Sequence, residues 1–231
     1  EDKLDFEEAL HLAAEMGYAE ADPSYDVDGI DAGHKIAILS SLAYGGYINF
    51  SEVYLQGIRD ISLVDIFEAE KLGFSIKLIA SSKINEDKLV EISAEPILLK
   101  NEKLLSNVND VYNAIEVTGS YTGKTLFYGK GAGMEPTASA VISDIVKIAT
   151  DSVINSNFFF DTKSHLETVD TNKLKHEFYI RTSKDFDLEA SALELYEEID
   201  NYYIIIAENI SRNELEETFA NVKEKLIIKI I

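Results

Sequence analysis

The chain has 231 residues, 46% of them hydrophobic, enough for one or two domains with a real core. Twenty-one basic against 42 acidic side chains leave a net charge of −21, which argues against nucleic acid or an anionic membrane as the main partner. There is no cysteine, so disulfides, thiolate nucleophiles and zinc–thiolate sites are excluded; no apolar run approaches the roughly 20 residues of a membrane span and the start is acidic, so the cytoplasm is the expected compartment.

Leu4, Phe6, Ala9, Leu10, Ala13 and Ala14 recur at helical spacing and stop at Gly17, so a first helix is expected there. The segment Gly17-Tyr-Ala-Glu20-Ala-Asp-Pro-Ser-Tyr-Asp26-Val-Asp28-Gly-Ile-Asp31-Ala-Gly-His-Lys35 then places five acids and one lysine between two helical patterns. It leads straight into the apolar run 36–42, which is expected to be largely buried, so Lys35 should begin at the edge of a core. Asp31 and Lys35 stand i, i+4 on the helix expected over 29–44, with the acid nearer the N-terminus, where the macrodipole also favours it. From spacing alone such a pair is a solvated ion pair worth a few tenths of a kcal/mol, about 0.3. Glu20, Asp22, Asp26 and Asp28 lack the twelve-residue calcium arrangement, so no metal is expected. His34 points about 100° away from Lys35 and is expected to pack rather than to act as a base.

Ser62 precedes a third helix over 63–72, with Asp65 as a capping-box-like partner and Gly73 as its stop. From Phe74 the period changes, and strands are expected at 75–80, 88–93, 94–99, 113–118 and 124–128, the last two joined by a turn from Gly119 to Gly123. Next, Gly131-Ala-Gly133-Met-Glu-Pro136 links a strand to a helix ending near Ala149; glycines permit close backbone approach, and a helix N-terminus favours an anion, though a plain tight turn reads the same way. Helices first and strands afterwards predict an α+β fold, with helices packed on one face of a mixed or antiparallel sheet.

A polar, aromatic linker over about 155–171 separates the remaining segment, which reads strand (176–181), helix (188–199), strand (202–207), helix (212–222) and strand (226–231). This βαβαβ order resembles a smaller ferredoxin-like, ACT-type domain, although residues 183–188 lack the Pro-Gly turn usual after its first strand. The expected division is therefore 1–155 and 156–231.

The Gly17 to Lys35 segment and Gly131-Ala-Gly-Met-Glu-Pro-Thr-Ala-Ser-Ala-Val141, with Gly57-Ile-Arg-Asp-Ile61 and Leu72-Gly-Phe-Ser-Ile-Lys-Leu78 between them, resemble homoserine dehydrogenase. The likeness is strong over roughly residues 5 to 155 and weak beyond. It implies NADP- or NAD-dependent interconversion of L-homoserine and L-aspartate 4-semialdehyde, in the branch toward threonine, isoleucine and methionine. Members of that family open on a dinucleotide-binding Rossmann domain, and no such fingerprint stands in this sequence. The chain is accordingly expected to be a fragment, inactive alone, with the cofactor held mainly by the missing domain.

The resemblance further implies a role for each site residue. Lys35 would be the proton donor and acceptor at the substrate oxygen, which a lysine can be if desolvation lowers its pKa toward neutrality. Asp31 would orient substrate and lysine, Glu20 would accept hydrogen bonds from the substrate ammonium, and Asp26 would join the same polar pocket. Gly17, Glu20 and Gly133 would lie against the cofactor. A homodimer through an uncovered sheet face is expected, together with an amino-acid effector at the ACT-like domain. The alternative is a non-catalytic amino-acid-binding or dimerisation protein built around an ACT-like module.

Overall fold

The structure is a computed structural model and describes residues 4–16, 22–150, 161–189, 191 and 193–231. Helix α1 (Phe6–Glu15) starts where Asp5 accepts the Glu8 N–H at 2.9 Å and Glu8 reaches back to the Asp5 N–H, a reciprocal cap. A short α2 (Ser24–Val27) leads through left-handed Gly29 into α3 (Ile30–Tyr44), which ends at left-handed Gly45. Two short strands follow, β1 (Gly46–Tyr47) and β2 (Tyr54–Leu55). Helix α4 (Leu63–Lys71) begins at Ser62, whose N–H and hydroxyl both donate to the Asp65 carboxylate, and it ends before left-handed Gly73, as its sequence foretells.

Strands β3 (Phe74–Ile84) and β4 (Val90–Lys100) form a long antiparallel hairpin. The two strands expected over 88–93 and 94–99 are thus one. Pro96 is tolerated inside it because, on the side away from β3, β2 pairs at Ser93 and Ala94, and the next partner strand pairs only from Ile97 onward. Pro96 stands in that gap, where no ladder bond is missed. Strands β5 (Tyr112–Gly119) and β6 (Gly123–Lys130) form the expected hairpin, but as a separate two-stranded sheet. Helix α5 (Met134–Thr150) follows.

Strand β7 (Asp161–His165) lies where a linker was expected and pairs in parallel with β1. The remaining elements are β8 (Lys175–Ser183), β9 (Leu195–Ile199), β10 (Tyr202–Ser211), α6 (Arg212–Thr218) and β11 (Lys225–Ile230). Among the described residues of 188–199 there is no helix: residues 195–199 form edge strand β9, antiparallel to β10. Its Leu, Glu and Ala are good helix formers, but pairing with β10 outweighs that weak local preference. The described order is therefore β8-β9-β10-α6-β11, which departs from βαβαβ.

The main sheet is mixed, in the order β2-β4-β11-β8-β10-β9, with β3 on the other side of β4. Parallel pairing of β11 with β4 joins strands from both sides of residue 155 into one sheet. Side chains alternate across it and build three apolar clusters on its two faces. On one face Tyr179, Ile204, Leu226 and Ile228 meet Ala69 of α4, and Val90 and Ile92 meet Ala37 of α3. On the opposite face Phe178, Ile180, Ile205 and Ile227 meet Leu215 and Phe219 at α6. Helices α3 and α4 lie together on one face, and α6, from the C-terminal segment, lies on the other, because β8, β10 and β11 are apolar at successive positions and need cover on both faces.

Candidate active site

The described part of the acidic segment, residues 22–35, runs through α2 into the head of α3. Asp22 accepts from the Ser24 N–H and hydroxyl at 3.1 and 2.7 Å, which holds its carboxyl below the ordinary carboxylate range. Val27 is buried, and Gly29 at φ +74° turns the chain into α3. That conformation suits glycine, since a side chain there is strained. On the first turns of α3, Asp31 Oδ2 lies 2.5 Å from Lys35 Nζ, the i, i+4 contact that the spacing foretells.

The surroundings of the pair differ from expectation. The Lys35 side chain is 65% exposed and that of Asp31 43% exposed. Of the apolar run, Ala37, Ser40 and Ser41 are buried, whereas Ile38, Leu39 and Leu42 face out. A 3.6-residue period places only one face of α3 against β3 and β4, and Lys35 lies off that face. The described residues therefore do not desolvate the lysine.

Close packing fixes the height of the helix. A Cβ built at Gly33 would come within 2.7 Å of Leu55 Cδ2 and 3.0 Å of Phe50 Cε2, so α3 rests directly on these chains. His34 stacks on Phe50, ring centroids 3.8 Å apart, the packing role expected of it.

Asp26 is on α2 with its side chain exposed, two residues before Asp28. Glu20 and Gly17 lie outside the described residues. Gly133, at φ +108°, opens α5, and an added Cβ there would meet Pro136 Cδ at 3.7 Å. Gly131 is closed off, since a Cβ there would strike the Asn113 side chain at 1.9 Å. These glycines form a tight strand-to-helix turn that leaves backbone open at Gly133 and encloses no dinucleotide by itself. Among the described residues no cluster of His, Asp and Glu is arranged to hold a metal ion. No helix among them is long and apolar enough to cross a membrane.

The residue that sequence reasoning passed over is Arg59. Its Nε donates to Asp28 Oδ1 at 2.6 Å and its Nη2 to Asp28 Oδ2 at 3.0 Å and to Ser24 Oγ at 3.2 Å. Hydrogen bonding from Arg59 holds the Asp28 carboxyl below its ordinary range. Asp28 is thereby committed to an ion pair. No local signal reveals this contact, because the partners are 31 residues apart. A groove of about 870 Å³ lies elsewhere, between α1, α4 and residues 108–113. Ala132 lines it, but Asp26, Asp31 and Lys35 do not.

The homoserine dehydrogenase family model matches residues 1–146. The chain is 49% identical over 147 residues to homoserine dehydrogenase of Synechocystis sp., covering 62% of this chain and 34% of that protein. It is 49% identical over 144 residues to that of Helicobacter pylori, covering 62% and 34%. Among solved structures, homoserine dehydrogenase from Thiobacillus denitrificans superposes with a TM-score of 0.80 at 28% identity, covering 100% of this chain and 59% of that one. The S. aureus enzyme at pH 8.5 gives 0.74 at 33% identity, covering 100% and 60%. The chain thus spans about a third of the length of the curated relatives it matches.

Proposed function

Since the chain belongs to the homoserine dehydrogenase family, we propose that it supplies the substrate side of the oxidation of L-homoserine to L-aspartate 4-semialdehyde and of the reverse reduction. The observation that carries this reading is the Asp31–Lys35 pair, 2.5 Å apart at the head of α3, inside the segment that the family model matches. The reaction serves threonine, isoleucine and methionine biosynthesis in the cytoplasm.

Lys35 Nζ, as the free amine, takes the substrate hydroxyl proton while the carbinol carbon loses hydride; in reduction the ammonium returns that proton to the carbonyl oxygen. Asp31 keeps Nζ on one face of α3 and orients the substrate. Glu20 and Asp26 receive the substrate ammonium through charge-assisted hydrogen bonds. Because Lys35 is open to solvent in this chain, the desolvation that tunes it comes from substrate and from whatever closes over the site. Bound NADP or NAD would supply the hydride acceptor; it would be held mainly outside this chain, with Gly17, Glu20 and Gly133 lying against it. The 231 residues alone are then inactive.

Residues 1–155 form the catalytic and dimerisation part, and 156–231 an ACT-like regulatory part that takes an amino-acid effector. The protein works as a homodimer. Supporting that, Ile115 and Phe127 on the β5–β6 hairpin and Val141, Ile142, Ile145 and Val146 on α5 are large apolar side chains left exposed.

The test is NADP- and NAD-dependent oxidation of L-homoserine by the product of the whole reading frame that encodes this sequence, beside its Lys35→Ala variant and the 231-residue chain. Activity in the first that collapses in the other two supports the reading. A folded but inactive whole product moves the assignment to the non-catalytic amino-acid-binding or dimerisation alternative.

A further inference from the structure

Residues 56–62 form a strap between the candidate site and the strands of the C-terminal half. On one side the strap is tied to those strands. Gln56 Nε2 donates to the Ile227 carbonyl on β11 at 3.1 Å, and Arg181 Nη2 on β8 donates to the Asp60 carbonyl at 3.0 Å. Ser62, at the end of the strap, is held by Asp65, which Arg181 also grips through Nε at 2.8 Å. On the other side the strap grips the turn before α3. The Ile58 N–H donates to the Val27 carbonyl at 2.9 Å, and Arg59 forks onto Asp28. Gly57 permits this approach: a Cβ there would lie 2.8 Å from the Val27 carbonyl oxygen and 3.0 Å from Asp28 Cα.

We infer that Arg59 is a positioning residue for the Asp31–Lys35 pair, holding the 24–28 turn, and with it the head of α3, against a strap anchored on β8 and β11. The inference rests on the dehydrogenase reading for its catalytic consequence only. Arg59 touches neither Asp31 nor Lys35; it acts through Asp28, which is joined to α3 by left-handed Gly29. The fork sets both the distance and the plane of the Asp28 carboxylate, which a point charge cannot do. Arg181, Asp60, Arg59 and Asp28 thereby form a continuous chain of contacts from β8 to the turn before α3.

The test compares Arg59→Ala, Arg59→Lys and Asp28→Asn in the whole gene product, by homoserine oxidation kinetics, thermal unfolding and amide hydrogen exchange. Arg59→Ala is expected to lower kcat on the order of 10²-fold, the scale of a misplacement of about 1 Å, with a smaller change in KM and an unchanged unfolding midpoint. Arg59→Lys recovers part of kcat, and Asp28→Asn combined with Arg59→Ala loses little more than either alone. Exchange rises about tenfold over residues 26–33 in Arg59→Ala and is unchanged in β8 and β11. Wild-type kinetics and wild-type exchange in Arg59→Ala would overturn the inference, as would exchange rising uniformly along the chain with a lowered midpoint. A wild type without homoserine oxidation sinks the dehydrogenase reading, and the exchange arm then still decides whether Arg59 holds the turn.

Discussion

Arg181 on β8 and Asp65 on α4 form an ion pair of 2.8 Å with side chains only 4% and 0% exposed, so the helix that leads into the main hairpin is bolted to the C-terminal strands. The same Asp65 carboxylate accepts from the Tyr179 hydroxyl at 3.0 Å and from Ser62. Burial, and after it the neighbouring carboxylate, push the Tyr179 phenol well above its ordinary range, which keeps it a donor. Arg181 also reaches Glu224, beside β11, at 2.8 Å.

Removing the acid from this cluster leaves a buried guanidinium and a buried hydroxyl short of a partner. Asp65→Ala is expected to destabilise the fold by about 3–5 kcal/mol, the range for breaking one partner out of a buried pair. Urea unfolding followed by circular dichroism measures it. A loss below about 1 kcal/mol, the scale of an exposed pair, would show that solvent reaches Arg181 freely.

Lys35 gives the opposite pattern. Its side chain is 65% exposed and its partner Asp31 is 43% exposed, so Lys35→Ala should shift stability by no more than about 0.5 kcal/mol. The proposed role as proton donor and acceptor nonetheless predicts that homoserine oxidation falls by about 10²–10⁴-fold in this variant. Parallel melting curves and initial rates on the whole gene product test both halves. A variant that stays active would remove Lys35 from the chemistry.

Acid stability should report on Glu91. His176, with Nε2 3.5 Å away, and Lys229, with Nζ at 2.9 Å, hold its carboxyl at about 2 against an ordinary 4.5. The folded state therefore prefers the ionised form. Its stabilisation is fully present above pH 4.5 and is lost as pH falls from there toward 2. The slope of unfolding free energy against pH in that window should flatten in Glu91→Gln; an unchanged slope would show that other carboxylates account for it.

Gly33 tests how closely α3 sits on its neighbours. With a Cβ only 2.7 Å from Leu55 Cδ2 and 3.0 Å from Phe50 Cε2, Gly33→Ala should cost about 1–3 kcal/mol through overpacking. A shift of α3 would also carry Asp31 and Lys35 with it, so turnover should fall along with stability. Denaturant midpoints and kcat measured on one preparation show whether the two losses track each other.

The amino-acid sequence by itself determined what is decided within a turn or a hairpin. Gly45 and Gly73 stop α3 and α4, Ser62 with Asp65 starts α4, and residues 119–123 turn β5 into β6. The Asp31–Lys35 contact belongs to the same class, since i, i+4 geometry follows from the helix alone. Tertiary structure decided the rest, because the deciding partner is far along the chain. Residues 195–199 carry helix formers and become β9 because β10 is there to pair with. Parallel pairing of β4 with β11 brings strands from both expected parts into one sheet, and no local pattern announces it. Exposure of Lys35 depends on which face of α3 meets β3 and β4, and a run apolar all round does not reveal that face. Arg59 acquires its role only when residues 24–28 and 56–62 are laid side by side, with Arg181 holding the far edge.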